Sequence, residues 1–284
     1  MQTNGSTKSG PRLSVSTWSL HRTLGKPGFY GVGQDTPQET HGRGSFDLLG
    51  LPARLAQCGI TTLEICHFHL PIREFHYLDE VSAALDEHGI ELFSLLVDDG
   101  DIIHPADGAA HLAWMAEWAE VAAGLGSACM RVIAGKQQAS PENTALACSR
   151  LRQLSDVAAA QGVRLMTENW FALLERPTEV LEVLDRLAGD VGLCMDFGNW
   201  KGPEKYAAFE QIAGRAESCH AKPQFNDSGQ IESADFSRCL EVTRNAGFAG
   251  PYTLIYDGPN DNEWEGLEKE KEMVLPYTDQ GVTA

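Results

Sequence analysis

Three residues of the kind that hold a divalent ion stand at the ends of three apolar runs. Glu168 closes VRLMTE at 163–168, Asp196 closes VGLCMD at 191–196, and His220 closes AESCH at 216–220. Each run has the composition of a buried strand and breaks at once afterwards, at Asn169, at Gly198 and Asn199, and at Ala221 and Lys222. Strands separated by one helix length can aim their last residues into one mouth. Carboxylate and imidazole donors suit Mn, Mg, Co or Zn. A polar residue where a strand meets solvent would explain any one of the three; three in successive units point to a site.

Other strand exits carry further candidates. ITTLEIC at 60–66 delivers His67 and His69, and the run 90–97 opens onto Asp98, Asp99, Asp101 and His104. His67, His69 and His104, with His220, are the groups that titrate near neutral pH, and a catalytic base can be drawn from them; the alternative is a surface or supporting histidine. Lys222 can meet a substrate phosphate or hydroxyl. Arg131, inside ACMRVIA, can orient a carboxylate or pair with Glu64 or Glu168 in a barrel interior. Trp18, Trp170 and Trp200 all fall at strand exits, where they either face a sugar ring or plug the top of a core.

The elements that must position these residues alternate along the chain. Strand-like runs at 12–18, 60–66, 90–97, 128–134, 163–168, 191–196, 216–220 and 251–257 are interleaved with helical periodicity over 46–57, 74–88, 109–125, 141–161, 178–188, 204–214, 233–245 and 263–274. Ser140 before Pro141 is a helix start, and Trp114 and Trp118, four apart, read as one core-facing pair. The Gly-rich stretch 19–44 has the length of a lid or a disordered loop and carries His21, Arg22, Phe29 and Tyr30. Eight such pairs specify an α/β protein, a single-domain (β/α)8 TIM barrel over residues 12–284, behind a disordered segment at 1–11. A doubly wound open sheet would want a Gly-rich phosphate turn after the first strand, and STWSLHR is not one.

A formal net charge of −18 over 284 residues argues against nucleic acid as a partner, since duplex-binding proteins present a basic face. Seven cysteines, an odd number without a CxxC pair, fit a reducing cytoplasm, where they act as small hydrophobes. No apolar run approaches the length of a membrane span, and the amino terminus lacks an apolar signal core, so a soluble cytoplasmic protein without membrane contact is expected.

TENW, CMDFGN, CHAK and GFAGPYTLIY, in this order and spacing, resemble the xylose-isomerase-like TIM-barrel superfamily of sugar phosphate isomerases and epimerases, which also includes endonuclease IV. The resemblance implies a metal-dependent isomerase, epimerase or related lyase acting on a sugar or sugar-like polyol by proton transfer next to a carbonyl. It also implies a carbohydrate substrate and a homo-oligomer. Glu168, Asp196 and His220 fall on the first three of the family's four metal ligands. Asn199 stands where the family's Asp-x-x-His has its His, and Ile255 falls on the final Glu when Gly250 and Pro251 are aligned. In the family's epimerases that Glu and the first one flank the substrate.

Ile255 can neither ligate nor carry a proton. Asp257, two residues on along the eighth strand, is then the candidate fourth ligand, about 7 Å nearer the mouth at about 3.3 Å per residue; otherwise it forms the turn before Gly258 and Pro259. Three protein ligands and a water still make a catalytic metal site, with Glu168, His67, His69 and Lys222 as the catalytic groups. The alternative is a catalytically impaired barrel serving as a sugar-binding or partner subunit. A nuclease would need more ligands than a chain with Asn199 and Ile255 offers.

Overall fold

The computed structural model describes residues 10–25, 31–34 and 44–279. Eight parallel strands close into a barrel in chain order: β1 (Arg12–Ser16), β2 (Thr62–Cys66), β3 (Glu91–Val97), β4 (Cys129–Val132), β5 (Arg164–Glu168), β6 (Gly192–Asp196), β7 (Ala216–Ala221) and β8 (Pro251–Leu254). A short turn of helix, α1 (His21–Leu24), follows β1. The outer ring then runs α2 (Leu51–Gln57), α3 (Phe75–Glu87), α4 (Gly108–Gly124), α5 (Pro141–Ala160), α6 (Pro177–Leu187), α7 (Lys205–Ile212), α8 (Ser233–Asn245) and α9 (Glu263–Val274).

The strands are covered on both faces, which is why they read as nearly unbroken apolar runs. One face packs on the helices in the main core. The other fills the barrel, where Phe93, Cys129, Met166 and Cys194 form a separate apolar cluster. Arg131, Glu168 and Asp196 each stand two residues beyond a member of that cluster, on the same strand face and nearer the carboxyl end. Apolar filling at the amino-terminal end and charge at the carboxyl-terminal end is the division of labour expected of this fold.

Two sequence expectations need correction. The first outer helix begins at Leu51 and not at Phe46, because Pro52 has no N–H to donate to an earlier turn and is tolerated only in the first turn. The turn before it is closed by the Gly50 N–H donating to Asp47 Oδ1 at 2.8 Å. The eighth strand ends at Leu254, so residues 255–257 lie outside it; the Tyr256 N–H donates to Ser19 Oγ at 2.8 Å instead of continuing the ladder. Elsewhere the expected elements lie within a few residues of the observed ones. Ser140 caps α5 by accepting the Asn143 N–H, and Trp118 is buried against the core.

In the long segment after β1, Glu263 at the start of α9 is buried and accepts the N–H groups of Arg22 and Thr23 at 2.8 and 2.9 Å and the Thr23 hydroxyl at 2.8 Å. This ties α1 to the β8–α9 connection. Phe29 and Tyr30 lie outside the described residues. Among the described residues no helix is long and apolar enough to cross a membrane.

Candidate active site

Three adjacent strands deliver the three principal donors. Glu168 is the last residue of β5, Asp196 the last of β6, and His220 the last but one of β7. Register places Asp196 beside His220 and Cys194 beside Glu168. All three donors are nearly completely buried, at 3–4% exposure, and all line one cavity at the carboxyl ends of the strands.

The His220 ring divides the work between its nitrogens. Nε2 lies 2.8 Å from Glu64 Oε2, while Nδ1 faces Glu168 Oε2 at 3.4 Å and Asp196 Oδ2 at 3.5 Å. Glu64, on β2, is wholly buried and reaches His220 across the barrel interior. Sequence reasoning offered Arg131 either Glu64 or Glu168 as a partner, and the second is the one it meets. A charged residue inside the apolar run ITTLEIC signals a buried carboxylate that needs a partner, without saying which.

Arg131 spans Asp98 and Glu168, with Nη2 2.6 Å from Asp98 Oδ1 and Nε 3.1 Å from Glu168 Oε2. Its guanidinium lies 5.6 Å from the Trp170 ring centre. Asn199, the residue in the place of the family's histidine, donates from Nδ2 to Glu168 Oε1 at 2.6 Å. Asp196 is framed by backbone: its Oδ1 accepts from Gly198 and Asn199, and Asn169 brackets its peptide, donating to the Asp196 carbonyl and accepting its N–H. A Cβ at Gly198 would come within 2.6 Å of the Lys222 side chain, so a larger residue here would displace Lys222. The roles of Glu64, Asn169 and Asn199 were not legible as roles in the sequence.

The electrostatics follow from burying several acids together. Burial raises the Glu168 carboxyl above its ordinary value, and Arg131 and His220 offset this only in part. For Asp196, burial acts the same way but the His220 hydrogen bond, the His220 charge and Lys222 outweigh it, so its carboxyl lies below the ordinary value. Asp98 is likewise brought down, burial being overcome chiefly by Arg131. Burial lowers the His220 imidazole, but the carboxylates around it, Glu64, Glu168 and the hydrogen-bonded Asp196, hold it well above its ordinary value.

Carboxylates face both edges of the buried His220 ring, which makes this end of the cavity favourable for positive charge. The donor set fits a divalent ion on chemical grounds: two carboxylates, an imidazole turned by a carboxylate behind it, and a Glu168 Oε2 that is buried without a hydrogen-bond donor of good geometry. Among the described residues the donor atoms that lie within 4.8 Å of one another are those of Glu168, His220 and Cys194, the last read from sequence as a small hydrophobe; Asp196 reaches His220 Nδ1 at 3.5 Å but stands outside that group.

The remaining sequence candidates are placed as follows. Lys222 lines the cavity, paired with Asp257 at 2.8 Å and 5.7 Å from the Trp18 ring centre. Ile255 is buried and lines the same cavity. Asp257 is not brought to the cluster: its side chain is 54% exposed and held by Lys222, because β8 has already ended and the two-residue strand repeat no longer applies. His67 and His69 are buried but not among the described residues lining the cavity. His67 Nδ1 accepts the Asp98 N–H at 3.2 Å, its ring edge-on to Trp118, and His69 Nδ1 meets Thr17 Oγ1 at 2.9 Å. Both therefore hold the ends of strands rather than face the donors. His104 is half-buried and accepts the N–H groups of Ala106 and Asp107. Trp18 and Trp170 line the cavity, whereas Trp200 is buried, stacked on Phe209 at 5.4 Å.

With a closed eight-stranded parallel barrel and donors at its carboxyl-terminal mouth, the protein is of the TIM-barrel class. Residues 52–273 match the xylose isomerase-like TIM barrel family, and the chain belongs to it. Solved structures share the fold at low identity. D-allulose 3-epimerase from Methylomonas sp. superposes with a TM-score of 0.67 at 14% identity, covering 95% of this chain and 99% of that one. A xylose isomerase-like TIM barrel protein from Mycobacterium smegmatis, solved with magnesium, gives 0.67 at 14% identity over 96% and 98%. The 3-keto-D-glucoside 4-epimerase from E. coli gives 0.62 at 18% over 80% and 93%. Among curated proteins none matches the chain.

Proposed function

We propose that the chain is a divalent-metal-dependent isomerase or epimerase that acts on a sugar or sugar-like polyol by moving a proton next to a carbonyl. The observation that carries this reading is the convergence of Glu168, Asp196 and the Nδ1 face of His220, with Glu64 fixing that face. Several structural neighbours are sugar epimerases, and one was solved with magnesium. Glu168, Asp196 and His220 would hold the ion, which supplies polarisation of the substrate carbonyl.

The chain's own residues do the rest. Glu168, its carboxyl raised by burial and so made more basic, is suited to take a proton from carbon and return it. Arg131 and Asn199 fix its orientation. Lys222, its ammonium kept charged by Asp196 and Asp257 despite burial, binds a substrate oxygen or returns a proton. Trp18 and Trp170 present flat walls that exclude water.

Ile255 in the cavity favours a second reading, a barrel that binds sugar without turning it over. Metal content after dialysis against Mn, Mg, Co and Zn, together with an isomerisation and epimerisation screen of ketoses and their phosphates, separates the two. About one ion per chain and a turnover abolished in Glu168→Gln support the enzyme. No ion under any condition sinks it, and sugar binding with bound metal but no turnover selects the second reading.

A further inference from the structure

Beside the catalytic cavity lies a second, larger concavity. The space over the donor cluster is about 40 Å3, well below the roughly 300–1,000 Å3 of ligand pockets, whereas the neighbouring groove measures about 290 Å3. A substrate whose reacting end enters the cavity must place the rest of itself outside, and the groove adjoins the cavity. Asn199 lines both. Trp170 lines the cavity and Phe171 the groove, their rings stacked with centres 4.3 Å apart, so each space has an aromatic ring on the side nearest the other.

The groove's ring is bought with strain. Phe171 has φ 58° and ψ −179°, at the border of a region occupied essentially only by glycine, at a cost of about 1–3 kcal/mol. The strained residue stands three places after Glu168, and the intervening Trp170 N–H donates to the Glu168 carbonyl at 2.7 Å. The Lys136 ammonium, 5.3 Å from the Phe171 ring centre, braces its position. Strain held this close to the donors points to a use for the ring it presents.

The groove's chemistry names its occupant. Besides Phe171, Trp200 and Ala172, its described lining offers the amides of Gln138, Asn169 and Asn199 and the carboxylate of Glu175, and no Lys, Arg or His. Aromatic faces with amide and carboxylate hydrogen-bonding groups suit a neutral polyhydroxylated ring; a phosphate would meet the Glu175 carboxylate, and the Lys136 ammonium beside Phe171 is already paired with Asp99 at 2.8 Å. We propose that this groove is a second sugar subsite, and that the substrate is a glycoside whose reacting ring enters the cavity while a neutral second unit lies on Phe171. This rests on the carbohydrate reading of the cavity.

The test is a tryptophan-fluorescence titration of the Mn-loaded full chain with D-glucose and D-fructose against cellobiose, maltose, sucrose and phenyl α- and β-glucosides. The expected result is that at least one glycoside binds about tenfold more tightly than either monosaccharide, equivalent to about 1.4 kcal/mol. Phe171→Ala and the exposed Gln138→Ala should each reduce that advantage and leave monosaccharide binding unchanged. Monosaccharide binding with no glycoside advantage, or an advantage that survives both variants, overturns the subsite and leaves the carbohydrate reading intact. Absence of binding by every sugar overturns both.

Discussion

His220 Nε2 and Glu64 Oε2 meet at 2.8 Å inside the barrel, and both side chains are almost wholly shielded from water. Glu64 is thus the residue that turns the Nδ1 edge of the ring toward Glu168 and Asp196. A carboxylate behind a ligand imidazole fixes its tautomer and raises its basicity.

Glu64→Gln keeps the volume and removes the charge. It is expected to weaken divalent-metal affinity by about 10–100-fold with the barrel intact. Calorimetric titration with Mn against the unaltered protein checks this, with circular dichroism as the control for folding. Unchanged affinity would show that the ring is oriented by something else.

Cys194 and Asp196 share a strand face one step apart, and both reach His220. Burial pushes the Cys194 thiol up, with His220 only partly opposing it, so it remains protonated unless a thiophilic ion displaces the proton. Cys194→Ser should therefore weaken Zn and Co binding and leave Mn and Mg binding unchanged, because the latter two prefer oxygen. Competition titrations with the four ions read this directly; an equal loss for all four would make Cys194 a general ligand.

The barrel and its three central donors were legible because each donor ends an apolar run, and a strand's end is a position that sequence can mark. Partnerships across the barrel were not. Glu64 is 156 residues from His220, and nothing local distinguishes a partner on β7 from one on β4. Asp257 misled for a related reason: PYTLIYD alternates like a strand to its last residue, yet Tyr256 leaves the ladder for Ser19. His67 and His69 sit at a strand exit as sequence suggested, but a three-residue turn of helix at His67–His69 directs them toward Asp98 and Thr17. Phe171 carried no signal, since its backbone conformation belongs to glycine.

Phe171 supplies a stability test independent of any ligand. Alanine normally outperforms glycine within regular structure by about 0.5–1 kcal/mol. Both substitutions remove the ring, but only glycine relieves the backbone, so Phe171→Gly should be more stable than Phe171→Ala by about 1 kcal/mol. Urea midpoints at equal m-values measure the difference. The usual order, alanine above glycine, would mean that the backbone at 171 is not strained.

Glu270, on α9, is wholly buried, and none of the described residues hydrogen-bonds either carboxylate oxygen. Burial pushes its carboxyl well above the ordinary value of 4.5; Lys222 pulls down and Asp257 pushes up. The folded protein therefore keeps a proton that the unfolded chain releases above about pH 4.5. Glu270 favours folding fully below that pH, and its contribution is lost as pH rises toward the folded value, at about 1.4 kcal/mol per pH unit. Glu270→Gln removes this dependence without changing shape. The variant is expected to match the unaltered protein near pH 4.5 and to exceed its stability progressively as pH rises from there, until the carboxyl ionises in the folded state as well. Parallel melting curves that never diverge with pH would show that Glu270 ionises freely in the fold, and that its carboxylate has a partner or water that its burial conceals.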